Sequence, residues 1–139
     1  MTQDNCVYCN RAAESVVWSD AQCRVLHVTD AKFAGFCRVV WNTHVPEFTD
    51  LDDAARTHVM RVVAGVENGL RDLLAPDKVN LASLGNLVPH LHWHVIPRYR
   101  DDSHYPEPIW AAPRREGVVR ALPHDFAARM KQALDRALV

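Results

Sequence analysis

The sequence predicts an α+β fold, a five-stranded antiparallel sheet carrying one long helix and a C-terminal helix. Three observations lead there. Short runs rich in β-branched and aromatic residues, separated by turn-forming residues, fill the chain before residue 42. One stretch near the middle places apolar residues at three- and four-residue spacing over many turns. Strand-like runs then resume, one of them strictly alternating. Strands joined by short turns and followed by a helix favour antiparallel pairing. At 139 residues the chain suffices for one ordinary core and not for two, so residues 1–139 form a single domain.

Ser15-Val16-Val17-Trp18 and Cys23-Arg24-Val25-Leu26-His27-Val28 flank Ser19-Asp20-Ala21-Gln22, a hairpin turn. Phe36-Cys37-Arg38-Val39-Val40-Trp41, started by Gly35 and ended by Asn42-Thr43, is the third strand. The long helix spans 49–75. Thr49 or Asp50 caps it, and the acidic residues of Asp50-Leu51-Asp52-Asp53 suit its positive end. Leu51, Ala55, Val59, Val62, Val66, Leu70 and Leu73 form its apolar stripe, and Pro76 stops it. Gly65 and Gly69 each cost about 1 kcal/mol against alanine, a cost that a close approach of the sheet or of another helix would explain. Residues 78–84 form a fourth strand, linked through Gly85-Asn86-Leu87 to a fifth over 88–98. The C-terminal segment, 103–139, begins as an irregular crossing that holds Tyr105 and Trp110. It ends in a helix opened by Pro123-His124-Asp125, with Phe126, Met130, Leu134 and Leu138 four apart.

A formal net charge of −1 argues against nucleic acid or an anionic membrane as partner. No apolar run approaches the roughly 20 residues of a membrane span. Met1-Thr2-Gln3-Asp4-Asn5 lacks the basic-then-apolar layout of a signal peptide, so the expected location is the cytoplasm. In that compartment a disulfide framework is not expected, and Cys23 and Cys37 read as small core residues. Segment 5–10 is different. Cys6-Val7-Tyr8-Cys9 has the spacing of half a zinc site or of a redox pair, and no strand precedes it as the redox version normally requires. Zinc would need two more ligands from elsewhere.

The chemistry concentrates in His90-Leu91-His92-Trp93-His94-Val95-Ile96. Alternate residues of a strand share a face, so His90, His92 and His94 line one side while Leu91, Trp93 and Val95 enter a core. Imidazoles at this spacing suit metal ligation, nucleophilic catalysis, or a merely polar strand face. Three in a row make the last a minor reading.

This segment matches the histidine triad (HIT) motif, His-φ-His-φ-His-φ-φ with φ apolar, at every position, and the chain resembles HIT-family proteins over most of its length. Cys6 and Cys9, the Phe33-Ala34-Gly35-Phe36 turn, the long helix and the glycine-containing approach to the triad extend the likeness. The resemblance implies a nucleotidyl hydrolase or transferase with a covalent nucleotidyl-histidine intermediate. The substrate would be an adenine nucleotide, either a nucleoside phosphoramidate (hint-type) or a dinucleoside polyphosphate (fragile-histidine-type). His92 would be the nucleophile, His94 a phosphate and proton contact, and His90 more peripheral. A ring nitrogen of His92 donating to a backbone carbonyl would fix its tautomer. No Mg²⁺ is required, because imidazoles and backbone donors can neutralise the phosphate. The resemblance further implies a structural zinc on Cys6, Cys9, His44 and His90, and a homodimer in which Trp110 reaches the partner's site. Base or ribose contacts would come from His27, Asp30 and Phe33, and phosphate or ribose contacts from Asn80, Gly85 and Asn86. Where the family carries a hydroxyl residue, this chain has Leu87, which donates nothing. Arg98 and Arg100 could hold polyphosphate or pair with Asp101 and Asp102. Two other classes fit the same residues: a nucleotide-binding regulator with negligible turnover, and a protein whose histidine strand binds a metal.

Overall fold

The computed structural model describes residues 3–139. Its elements are β1 (Val16–Ser19), β2 (Cys23–His27), β3 (Cys37–Trp41), α1 (Asp53–Leu74), β4 (Lys78–Ala82), β5 (His92–Arg98) and α2 (Phe126–Ala137). The five strands form one sheet in the order β1-β2-β3-β5-β4, and every neighbouring pair is antiparallel. Among the described residues no helix is long and apolar enough to cross a membrane.

Strand parity divides the sheet into two faces. Cys23, Val25, Cys37, Val39, Val79 and Val95 point to the side covered by α1 and α2 and make the main core. On α1 this core takes Ala55, Val59, Val62, Val66 and Leu70; on α2 it takes Phe126, Met130 and Leu134. The two helices cross at the paired glycines. A Cβ on Gly65 would lie 3.0 Å from Leu134, and one on Gly69 would lie 2.6 Å from the Met130 sulfur. The close approach that these glycines permit is therefore that of α2.

The long helix begins later than its sequence suggests. Thr49 and Asp50 belong to a separate 3₁₀ turn, Phe48–Asp50, where Asp50 accepts the Glu47 N–H at 2.9 Å. Asp52 is the actual cap and accepts the Ala55 N–H at 2.9 Å, because Leu51 must first turn into the core. The helix ends at Ala75 in the left-handed region, with Pro76 following.

The fifth strand is likewise shorter. Pro89 has no N–H to give to a ladder, and regular pairing starts only at His92. The chain just ahead of it is still fastened to the end of β3, because Leu91 donates to the Val45 carbonyl and accepts from the Trp41 N–H. His90 thereby keeps its place next to His92.

Arg24, Leu26, Arg38, Val40, His92, His94, Ile96 and Arg98 make up the second face, as the register pairs Arg24 with Val40, Arg38 with His94, and Val40 with His92. This face is not open. The N-terminal segment lies over Leu26 and Val40 with Cys6 and Tyr8; the β2–β3 connection lies over Ile96 with Phe33 and Phe36, and the chain after β5 adds Ile109. A buried arginine anchors each cover. Arg24 donates to Glu14 at 2.7 and 2.5 Å, to Asn42 at 2.9 Å and to the Tyr8 carbonyl at 2.6 Å. Arg98 holds Asp102 at 2.8 and 3.1 Å, Asn80 at 2.8 Å and the Glu107 carbonyl at 2.8 Å. Arg98 is therefore an internal anchor, neither a surface ion pair nor a free phosphate ligand.

Candidate active site and metal centre

The cover formed by the N-terminal segment brings Cys6 and Cys9 against His44, in the loop after β3, and against His90. Their donor atoms all lie within 4.8 Å of one another. Cys6 Sγ stands 3.3 Å and Cys9 Sγ 3.6 Å from His90 Nδ1. His44 Nδ1 is 3.4 Å from Cys9 Sγ and 3.1 Å from His90 Nδ1. Tetrahedral bonds of about 2.3 Å to sulfur and about 2.05 Å to nitrogen imply donor–donor edges of roughly 3.3–3.8 Å, so the four groups already stand near ligand spacing. The His90 ring is also oriented for it. Its Nε2–H donates to the Trp41 carbonyl at 2.6 Å, which leaves Nδ1 as the ring's lone-pair nitrogen facing the thiols. Burial and the adjacent Cys6 push the Cys9 thiol up, so ion capture there displaces a proton.

Two residues further into the sheet, His92 is set by the same stretch of backbone. Its Nδ1–H donates to the His90 carbonyl at 2.6 Å, leaving Nε2 as the basic nitrogen. The Ser83 hydroxyl donates to the His92 carbonyl at 2.7 Å and ties this residue to the chain after β4. The Tyr8 ring lies 4.7 Å from the His92 ring, and the His94 ring meets it edge-on at 4.9 Å. His94 Nδ1 accepts from Arg38 Nε at 3.3 Å, so its proton is on Nε2. Trp110 of the same chain packs on His94 at 5.0 Å, so this tryptophan borders the site of its own subunit. Burial lowers the pKa of all three histidines. For His92 it is opposed by the bond to the His90 carbonyl and aided by Arg38; for His94, His92 and Arg38 add to it and bring the value to about 4. The triad is thus neutral at neutral pH.

Two clefts flank these imidazoles. One of about 460 Å³ runs under the N-terminal segment along Tyr8, Glu14, Leu26, Val28 and Arg38. It reaches the triad only through Tyr8 and Arg38, since no triad histidine lines it. The other, of about 560 Å³, lies at the β4 edge between Asn80, Ala82, Ile96 and Trp110.

The remaining sequence candidates are spread around this centre. His27 lines the first cleft, but its ring packs on Phe126 of α2 at 5.2 Å. Asp30 accepts the Lys32 N–H at 2.9 Å and closes a turn. Phe33 is buried against Phe36 and Ile96, with the Arg98 guanidinium 5.7 Å from its ring. Asn80 is half-buried on the triad face of β4, and its amide oxygen is committed to Arg98. Gly85 adopts φ +73° in the loop ahead of the triad, followed by exposed Asn86 and Leu87. Three contributors were not apparent from the sequence: Tyr8, Ser83 and Arg38. Arg38 was in principle detectable, since its parity within β3 puts it on the face opposite Val39, but only the pairing with His94 shows what it meets.

The family model of the HIT domain matches residues 10–101. Among solved structures, a histidine triad protein from Bradyrhizobium japonicum is 26% identical over 94% of both chains, with a TM-score of 0.71. One from Marinobacter aquaeolei VT8 is 25% identical over 91% of this chain and 93% of its own, with a TM-score of 0.74. A Zn-bound histidine triad family protein from Mycobacterium smegmatis shares the fold at 21% identity, over 97% of this chain and 96% of its own, with a TM-score of 0.69. No curated protein sequence matches the chain. With its motif intact, the triad on the second face of the sheet and the family model spanning most of its length, the chain belongs to the HIT domain family.

Proposed function

We propose that the protein is a nucleotidyl hydrolase or transferase acting at the α-phosphate of adenine nucleotides, with His92 as nucleophile. The observation that carries this reading is the His92 Nδ1–H bond to the His90 carbonyl. It presents a neutral imidazole with Nε2 as its basic nitrogen, and Nε2–H of His94 is available beside it to donate to a phosphate oxygen. Attack by Nε2 forms a phosphorus–nitrogen bond as the bond to the amine or (poly)phosphate leaving group breaks. Water then attacks the same phosphorus, the phosphorus–nitrogen bond breaks, and the imidazole is restored with release of AMP. Nucleoside phosphoramidates and dinucleoside polyphosphates both meet these requirements. The apolar-lined cleft beside Tyr8 has room for a base; Asn80 lines the cleft at the β4 edge, and it would contact phosphate or ribose together with Gly85 and Asn86 of the loop ahead of the triad.

Cys6, Cys9, His44 and His90 would hold zinc, which would brace the N-terminal cover and supply no chemistry at phosphorus. The donor spacing supports this, as does the zinc in the related Mycobacterium smegmatis protein. With Nδ1 on metal and Nε2–H on the Trp41 carbonyl, His90 would position His92 through its backbone and take no part in proton transfer. A cytoplasmic location and a homodimer complete the reading.

AMP release from adenosine 5′-phosphoramidate and from diadenosine tetraphosphate, measured side by side, tests it. His92→Ala is expected to lower turnover at least about a thousandfold. A chelator is expected to remove one zinc per chain while leaving cleavage within a few-fold. Cleavage that survives His92→Ala, or that disappears with the metal, would overturn the mechanism. AMP binding without cleavage of either substrate would favour a regulatory nucleotide binder.

A further inference from the structure

Arg38 stands apart from the other arginines on the second face. Arg24 and Arg98 are fully buried, and each has a carboxylate partner. Arg38 is half-buried, and among the described residues it has no carboxylate within ion-pair distance. Its neighbours are aromatic or imidazole: His94 at 3.3 Å from Nε, the Phe36 ring 5.2 Å below the guanidinium, and Tyr8, which lines the first cleft with it. A cation partly removed from water and left without a counter-ion is costly, and the cost is recovered when an anion arrives. The register fixes where that anion must sit. Arg38 is directly opposite His94, at the point where the first cleft reaches the triad. In the loop ahead of the triad, Leu87 is 86% exposed and its side chain carries no donor, so no side-chain contact comes from that position.

We propose that Arg38 is the phosphate clamp of this site, its guanidinium pairing with non-bridging oxygens of the reacting phosphoryl group while its Nε–H holds His94 in the Nε2–H form. The inference rests on the nucleotide reading above and extends it. A strand arginine takes over the side-chain contact that Leu87 cannot make, and discrimination between nucleotide and nucleoside resides in β3. The planar fork suits two phosphate oxygens at once, which a lysine ammonium can match only as a point charge.

The test is calorimetric titration of AMP and of adenosine into the wild-type chain, Arg38→Leu and Arg38→Lys. Arg38→Leu is expected to weaken AMP binding about 10- to 100-fold and leave adenosine binding unchanged. Arg38→Lys should restore part of the loss. If Arg38→Leu binds AMP as the wild type does, the clamp is overturned and the nucleotide reading stands. If it loses AMP and adenosine equally, Arg38 is structural and the clamp is again overturned. A wild-type chain that binds neither ligand overturns the nucleotide reading itself, and the clamp with it.

Discussion

Burial, more than any single contact, sets the protonation of the triad. His94 is brought to about 4 by burial first, then by the positive charge available on His92 and by Arg38. An unfolded histidine titrates near 6.5. A folded-state value below the unfolded one means that acid favours the unfolded chain, so this contribution to stability is intact above pH 6.5 and is lost as the pH falls towards 4. Under the proposed mechanism the activity follows the same sign, since a protonated His92 could not attack phosphorus and its value too is lowered, by burial first. The expected pH–rate profile for AMP release therefore has its acidic midpoint below the ordinary histidine value near 6.5. A midpoint at 6.5 would mean that the His92 imidazole is solvated like a free one, against the packing of Tyr8, Val40 and His94 around it. Sequence alone singled out His92 and His94 as candidate site residues, because seven consecutive positions constrain the motif. It could not show Tyr8, which reaches the triad from the N-terminal cover, or Arg38, whose contact with His94 depends on the register between β3 and β5.

The elements that cover the second face hang on two buried guanidinium groups, and the one after β5 is the more heavily loaded. Burial alone would raise the Asp102 carboxyl. The Arg98 guanidinium and the N–H groups of His104, Tyr99 and Tyr105 overcome that and hold it at about 2. Its stabilising effect is therefore complete above the unfolded value near 3.9 and is lost only as pH falls through about 2. Asp102→Asn removes the charge while Arg98 remains buried among Asn80, Phe33 and Tyr105. Breaking one partner of a buried pair costs about 3–5 kcal/mol, so thermal unfolding of Asp102→Asn should show a Tm lower by roughly 10–17 °C for a chain of this size. Unfolding at the wild-type temperature would show instead that Asn80 and the Glu107 carbonyl suffice to compensate Arg98. The sequence offered Arg98 as a polyphosphate contact or an ion pair with the neighbouring aspartates and gave no sign of its burial. Nothing local says that this face is covered, since the covering segments are distant in the chain: the N-terminal segment, the β2–β3 connection and the chain after β5.

At the scale of the molecule, the order of strands was not legible from the chain, although their number and the single layer of helices were. β5 inserts between β3 and β4, and this placement carries the triad into the interior of the sheet and leaves β4 at its edge. An edge strand presents unpaired backbone donors and acceptors, and proteins normally protect it with charge, proline or a covering element. Here the edge and the loop beyond it expose Leu81, Leu84 and Leu87 at 44, 52 and 86%. Leu81 pairs with Val95 and so lies on the helix side of the sheet, just past the reach of α1. That combination suits a second copy of the chain: antiparallel pairing of two β4 edges would satisfy both ladders and bury these leucines together. The chain of 15.7 kDa is expected to sediment as a dimer at micromolar concentration, and Leu81→Lys, which brings a positive charge from each copy into that seam, should shift it to the monomer. Because the triad is assembled within one chain, with Trp110 resting on its own His94, the monomeric variant should still bind AMP. A wild-type chain that sediments as a monomer would leave the β4 edge exposed in solution and overturn the dimer. A Leu81→Lys monomer unable to bind AMP would show instead that the site requires the partner's chain.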